Sequence, residues 1–336
     1  MTPSKLHDEH FLVTGAAGFI GSAVATLLLE RGARVTGVDN LCATYDVRLK
    51  LLRLERLLKR PGFAFRCLDV EDFDALRQIG VPGGGRPYDG IFHLAARAGV
   101  RTSTLNPWVY VRTNIIGTLN ILELARENGV PHLVVASSSS VYGNGGEGAS
   151  SESGAADEPL SPYAATKKGA EAICHSYHHL FGLNISLLRY FTVYGPYGRP
   201  DMALFRFVHW ISTGQPVVIY GDGLQQRDFT YIADIARGTV AAVRLPGFHI
   251  LNLGSDHPVQ VLEAVHKIEA ALGKSGRLDF RPAHGADVAR TWAEIGKARQ
   301  LLRWRPETPF DSGIERLTRW YTQHRTALAG LEYASE

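Results

Sequence analysis

Cysteine is scarce in this chain of 336 residues: Cys42, Cys67 and Cys174 stand far apart, with no Cys-x-x-Cys pair. That scarcity argues against a disulfide framework or a structural zinc site and fits a reducing compartment in which all three are packed thiols. No apolar run approaches the roughly eighteen residues of a spanning helix. The stretch Met1 to His10 is polar and lacks the apolar core of a secretory leader, so a cytoplasmic protein with no membrane partner is expected. An excess of one charge is missing too, with 36 Lys and Arg against 33 Asp and Glu. The densest basic run, Arg48 to Arg60, alternates with leucines as a solvated helix face does, so no nucleic-acid partner is expected. His178-His179 has no carboxylate or Cys at ligand spacing, and no metal site is expected.

What is present reads as α/β. The length allows one large domain with a smaller lobe. Phe11-Leu12-Val13, a short apolar run of the kind buried in a parallel sheet, feeds Gly15-Ala16-Ala17-Gly18-Phe19-Ile20-Gly21 and then an apolar-periodic helix to about Arg31. Glycines there let the backbone turn tightly and approach a pyrophosphate, while the helix N-terminus offers amide donors. The Gly-x-x-Gly-x-x-Gly spacing differs by one residue from the usual dinucleotide fingerprint, and a plain tight turn would also explain it. Context favours a dinucleotide, because a strand over Arg34 to Val38 ends in Asp39-Asn40, where an acidic side chain can accept from both ribose hydroxyls. Asp39 would repel a 2′-phosphate and no Arg follows at once, so NAD is expected rather than NADP.

The alternation continues with a helix over Asp46 to Arg60, a strand over Phe63 to Leu68 followed by Asp69-Val70 at the adenine position, and a strand over Tyr88 to Leu94. This is the pattern of a Rossmann-type, doubly wound parallel sheet. His93-Leu94-Ala95-Ala96 has small residues that permit close approach by a cofactor. Asn106 to Asn128 reads as one long helix, in which Asn114 either bonds a main-chain group or serves the site; both readings stay open. His132 to Ala136 delivers Ser137 to Ser140 at its carboxyl end, where ligands bind in open α/β sheets. Gly143 to Pro159 reads as a mobile loop at the mouth. A helix from Pro162 to Phe181 carries Tyr163 and Lys167 on one face, and a cationic Lys lowers a nearby phenol's pKa toward a value at which it can deprotonate a hydroxyl. Such pairs are common by chance; the serines and the glycine turn single this one out.

Ile185 to Arg189 is the sixth strand. Beyond Tyr190, Pro and Gly cluster over Thr192 to Met202. The expected division is a cofactor domain over 1–190, to which 228–256 returns, and a smaller C-terminal α/β substrate lobe over 191–227 and 257–336. Helices are expected at Ala203 to Ser212, Ile232 to Val243, Val261 to Leu272, Glu294 to Leu302 and Asp311 to His324, with strands at Val217 to Tyr220 and His249 to Leu253.

Taken in order, Gly15 to Gly21, Asp39, Asp69, His93 to Ala96, Asn114, Ser138, Tyr163 and Lys167 resemble the extended short-chain dehydrogenase/reductase superfamily over nearly the whole chain. More narrowly, Ala98 to Arg101, Ala136 to Gly143, Tyr163 to Lys168, Phe191 to Ala203 and Arg227 to Tyr231 are similar to UDP-glucuronate 4-epimerases. The resemblance implies interconversion of UDP-glucuronate and UDP-galacturonate through a 4-keto sugar. It implies NAD held by Gly15, Gly18, Phe19, Ile20, Gly21, Asp39, Asn40, Asp69, Val70, Leu94, Ala95, Ala96, Asn114, Tyr163 and Lys167. Tyr163 would be the base for the 4-hydroxyl, Lys167 would tune it, and Ser138 would bond the same oxygen. The 4-keto sugar is a β-keto acid, so Ser139, Ser140 and Thr192 would grip its carboxylate and keep it from the alignment that releases carbon dioxide. Arg199, Arg206 and Arg227 would serve the diphosphate and uridine, Asp287 the uridine ribose, and Arg101 would also bind the substrate. The superfamily also suggests a homodimer sealed by the helices around Asn106 to Asn128 and Pro162 to Phe181.

Two features depart from the pattern: a run of small residues in the Gly143 to Pro159 loop, and Arg290 where a smaller or neutral residue is expected. A UDP-xylose-forming decarboxylase and a UDP-glucose 4-epimerase share the fold, and the hydroxyls at 139, 140 and 192 count against both. A non-enzymatic NAD sensor is disfavoured because Tyr163 and Lys167 are both present.

Overall fold

The computed structural model describes residues 6–81, 85–144, 148–283, 285 and 287–331. In chain order the first half comprises β1 (His10–Thr14), α1 (Phe19–Glu30), β2 (Arg34–Asp39), α2 (Arg48–Leu58), β3 (Phe63–Cys67), α3 (Phe73–Arg77) and β4 (Gly90–His93). There follow α4 (Pro107–Tyr110), a π-helical stretch over Val111–Ile116, α5 (Gly117–Glu127), β5 (His132–Ser138), α6 (Pro162–Phe181) and β6 (Asn184–Tyr190). The remainder is β7 (Thr192–Tyr194), α7 (Ala203–Thr213), β8 (Val217–Tyr220), β9 (Gln226–Tyr231), α8 (Ile232–Ala241), β10 (Phe248–Leu253), β11 (Pro258–Gln260), α9 (Val261–Leu272), β12 (Leu278–Arg281), α10 (Gly296–Leu302), α11 (Phe310–Gln323) and α12 (Arg325–Leu328).

Seven parallel strands form the main sheet in the order β10-β6-β5-β4-β1-β2-β3, as the doubly wound reading expects. Strand order reverses between β1 and β4, which opens a ligand crevice at their carboxyl ends. Side chains alternate between two apolar layers: Phe11, Val13, Val35, Phe92, Val134 and Leu188 on one face, Leu12, Val38, Ile91, Leu133, Val135 and Leu187 on the other. Burial on both faces explains why these strands read as unbroken apolar runs.

The lobe carries a three-stranded sheet, β11-β9-β7, and a parallel pair, β12-β8. The sequence gives no strand signal for β7, β9, β11 or β12, which are short or charged. They are held by long-range bonds such as those of the buried Asp228. Its carboxylate accepts from Thr230 Oγ1 at 3.2 Å and from the backbone N–H groups of Ser255, Asp256 and Ala293 at 2.5, 3.1 and 3.0 Å.

Several expectations need correction. β5 runs two residues past Ala136, so Ser137 and Ser138 belong to the strand. The helix of Asn106 to Asn128 widens into a π turn at Asn114. Of the thiols, Cys174 is buried but Cys67 is exposed. The loop at the mouth is fastened: Ser150 bonds Trp292 and Glu294 through the backbone, and Glu152 accepts from Asn252 N at 2.7 Å. Its residues 145–147 lie outside the described residues. On α2, Lys50 and Arg53 are buried, so the basic run is not simply a solvated face.

Candidate active site

The cofactor cleft starts at the β1–α1 turn. Gly15 has φ +68°, and a Cβ there would lie 2.7 Å from Ala95 N; at Gly21 it would lie 2.0 Å from Gly15 O. Only glycine fits both places. Gly18 caps α1 without a side-chain bond, the first turn, which begins with Phe19 and Ile20, holds no acidic residue, and its amide donors are left for an anion. Asp39 accepts from Ala17 N at 3.2 Å, Leu41 N at 2.8 Å and Lys50 Nζ at 3.0 Å. Asn40 donates to Asp69 Oδ2 at 2.7 Å, and Val70 packs where a Cβ on Gly117 would clash at 2.7 Å. On the far side of the turn, Leu94, Ala95 and Ala96 extend β4, with Ala95 N bonded to Thr14 Oγ1 at 3.2 Å. His93 is a core residue; burial, then the Lys167 charge, push its pKa down to about 3, so it stays neutral. The glycines, the donor-rich turn and the ribose-side carboxylate fit a dinucleotide.

Asn114 resolves into a main-chain clamp. Its side chain accepts from Arg97 N at 2.9 Å and donates to Arg97 O and Thr166 Oγ1, both at 3.0 Å. Thr166 in turn donates to Tyr163 O at 2.8 Å, which ties the clamp to the first turns of α6.

Ser161 caps α6 by accepting from Ala164 N at 3.2 Å, with Pro162 in the first turn, and this places Tyr163 at the cleft. The Tyr163 ring meets Tyr110 edge to face at 6.2 Å. The electrostatics differ from the expectation. Tyr163 is half-buried, and loss of water around its hydroxyl pushes the phenol up; a hydrogen bond to Ser138 and the charge of Arg199 pull it back. Lys167 donates to Ala136 O at 2.9 Å, and burial lowers its pKa to about 8. Arg199 is a cation that acts on the phenol.

Ser138 and Ser140 are bonded to each other through their hydroxyls at 3.1 Å, and Ser139 opens the 3-10 turn between β5 and the loop. Ser138 is the register partner of Tyr190, so Thr192, two residues on, starts from the neighbouring strand end. The five charged substrate candidates fall into two groups. Arg101 donates to Asp287 at 2.7 Å and lies 4.2 Å over the Tyr220 ring; Arg227 joins them, lowered first by burial and also by Arg101, while Asp287 opposes. Arg199 instead lies near Tyr163 and grips Asp201 at 2.5 and 3.0 Å, and this pairing keeps it charged despite burial. Arg206, stacked on Trp210 at 4.6 Å, also acts on Asp201 and belongs to that second group.

Sequence reasoning missed Lys50, Arg53 and Arg97. Arg53 is fully buried and donates to Tyr197 O, Ala17 O, Gly198 O and Tyr45 Oη, joining the glycine turn to the Pro196–Arg199 turn. A guanidinium every few residues in a leucine-rich helix was the available signal.

The fold and cleft define a class: the chain belongs to the NAD dependent epimerase/dehydratase family, whose model matches residues 11–254. Within it the chain is similar to the UDP-glucuronate 4-epimerase of Thermodesulfobacterium geofontis, 50% identical over 93% of this chain and 95% of that one. UDP-glucuronate 4-epimerase 2 of Arabidopsis thaliana is 40% identical over 92% and 75% of the two chains. Among solved structures, the UDP-glucuronic acid 4-epimerase of Bacillus cereus in complex with UDP-glucuronic acid and NAD matches with a TM-score of 0.87 at 37% identity, covering 94% of this chain and 99% of that one.

Proposed function

We propose that the protein is an NAD-dependent UDP-glucuronate 4-epimerase that forms UDP-galacturonate with the carboxylate retained. The observation that carries this reading is the set of hydroxyl residues formed by Ser138, Ser139 and Ser140 at the carboxyl end of β5 and Thr192 at the start of β7, with Ser138 hydrogen-bonded to Tyr163. Hydroxyl donors suit a carboxylate that must be held without being expelled.

Tyr163 removes the proton of the sugar 4-hydroxyl, and Ser138 bonds the same oxygen. NAD, which Gly15 to Gly21 and Asp39 would hold, would supply the acceptor for the carbon-4 hydride and its return to the opposite face of the 4-keto sugar. Between the two transfers, Ser139, Ser140 and Thr192 hold the carboxylate out of line with the carbonyl π system. Arg101 and Arg227 take the diphosphate and Asp287 the uridine ribose, which requires the Arg101–Asp287 pair to rearrange. Asp39 and Lys50 receive the adenosine ribose. We assign the cofactor to the main sheet with α8 and β10, and the UDP-sugar to the lobe.

A homodimer and a reducing, cytoplasmic setting complete the reading. Trp108, Val111, Ile116, Leu180 and Phe181 leave apolar surface exposed on the helices from α4 to α6, and the cysteines are free. No helix among the described residues is long and apolar enough to cross a membrane.

The test is to incubate the purified protein with UDP-glucuronate, without added cofactor, and to measure nucleotide sugars and carbon dioxide. A mixture with UDP-galacturonate and no carbon dioxide is expected. Carbon dioxide with a UDP-pentose would refute the clamp and move the protein to the decarboxylases.

A further inference from the structure

We propose that Arg97 is a guanidinium latch across the pyrophosphate of the bound dinucleotide, with Thr44 as its catch; this rests on the NAD-dependent reading above. The sheet order β4-β1-β2 puts the glycine turn of β1 between the loops that follow β4 and β2. The backbone of Leu94 and Ala95 lies directly against Gly15, where a Cβ would come within 2.8 Å. Two residues on, Asn114 fixes Arg97 by both its N–H and its C=O. From that base Arg97 Nη1 reaches Thr44 Oγ1 at 2.7 Å, in the loop after β2. The side chain therefore crosses the carboxyl end of β1, over the turn that receives the pyrophosphate.

Charge points the same way. Among the described residues Arg97 forms no ion pair, and its bond to Thr44 uses one of a guanidinium's five donors. Arg53, which donates to Ala17 O in the same turn, is fully buried and also has no carboxylate partner. Two uncompensated guanidiniums at one glycine turn match the two negative charges of a pyrophosphate, and the fork of Arg suits its oxygens. NAD then leaves only when Arg97 swings off Thr44, which makes the cofactor a resident one.

The experiment compares wild type with Arg97→Ala and Arg97→Gln. NAD content is measured by chromatography of nucleotide released on denaturation, and affinities for NAD, ADP-ribose, adenosine and UDP are measured on stripped protein. The Asn114 clamp uses only the backbone of Arg97, so both variants keep it, and their melting temperatures without nucleotide check this. Arg97→Ala should bind NAD and ADP-ribose about 10- to 100-fold more weakly, the range for a hydrogen bond to a charged group, with adenosine and UDP unchanged. Arg97→Gln should fall between the two. Unchanged NAD affinity, or a loss confined to UDP, would overturn the latch. A wild-type protein that binds no NAD would instead overturn the functional reading on which the latch depends.

Discussion

Replacing Glu171 by Gln would strip one buried charge from α6. Glu171 follows Lys167 by one turn of α6 and is 4% exposed. Its carboxylate accepts from Ser137 Oγ at 2.6 Å and from Arg189 Nε and Nη2 at 2.8 and 2.7 Å. Arg189 is 2% exposed, so without Glu171 its charge has no water to turn to. Removing one member of a buried pair costs about 3–5 kcal/mol. Gln keeps one acceptor oxygen, and the Tyr142 ring 4.7 Å from the guanidinium offers a partial substitute, so the low end, about 3 kcal/mol, is expected. The assay is urea unfolding of the cofactor-free protein, read as the shift in midpoint at constant slope. A functional readout accompanies it: Glu171 raises the pKa of Lys167 against burial, so its loss should move the alkaline limb of kcat/KM to lower pH. A loss below about 1 kcal/mol, with an unmoved limb, would refute the account of this pair as a positioning device for Lys167.

Thr192→Ala should release carbon dioxide and a UDP-pentose alongside the epimer, detected by chromatography of the products; unchanged product purity would remove Thr192 from the clamp. Gly21→Ala should leave purified protein short of NAD, because the new methyl would lie 2.0 Å from Gly15 O and must push the turn open. Burial brings Lys167 from 10.5 to about 8, so between those values the folded protein has released a proton that the unfolded chain still holds, and stability rises with pH across that window. Lys167→Met should flatten that rise, by up to about 3 kcal/mol in unfolding free energy at 1.36 kcal/mol per pKa unit. Leu180→Glu, at a site 67% exposed, should leave folding intact and yield a monomer by light scattering.

The cofactor half was legible because its signals are local. Gly15, Gly21 and Asp39 lie within one strand–helix–strand unit, and each follows from a single steric or charge requirement. The substrate half is assembled from distant segments: Arg101 meets Asp287 across 186 positions, and β9 owes its place to Asp228 binding residues 255, 256 and 293. No periodicity encodes such pairings. Lys50 and Arg53 escaped notice for a related reason, since a long cationic side chain on an amphipathic helix reads as solvated until its buried acceptors are known. The spacing of Tyr163 and Lys167 placed both on α6, yet it carried no information on the acceptor that the ammonium takes, which is Ala136 O.

That last difference bears on how the site is switched on. Burial works against charge on both groups of the pair, pushing the Tyr163 phenol upward and bringing the Lys167 ammonium down to about 8, and Lys167 donates to Ala136 O. The hydrogen bond to Ser138 and the charge of Arg199 both favour the phenolate against that burial. An oxidised nicotinamide held beside Tyr163 and Lys167 would add a positive charge and ribose hydroxyls that could accept from Lys167, and both would favour the ionised phenol. Under the proposed function, the reactivity of Tyr163 would then depend on occupancy of the cofactor cleft. A site of this design gains from keeping its dinucleotide bound through successive turnovers, which is the behaviour that a guanidinium laid across the glycine turn would enforce.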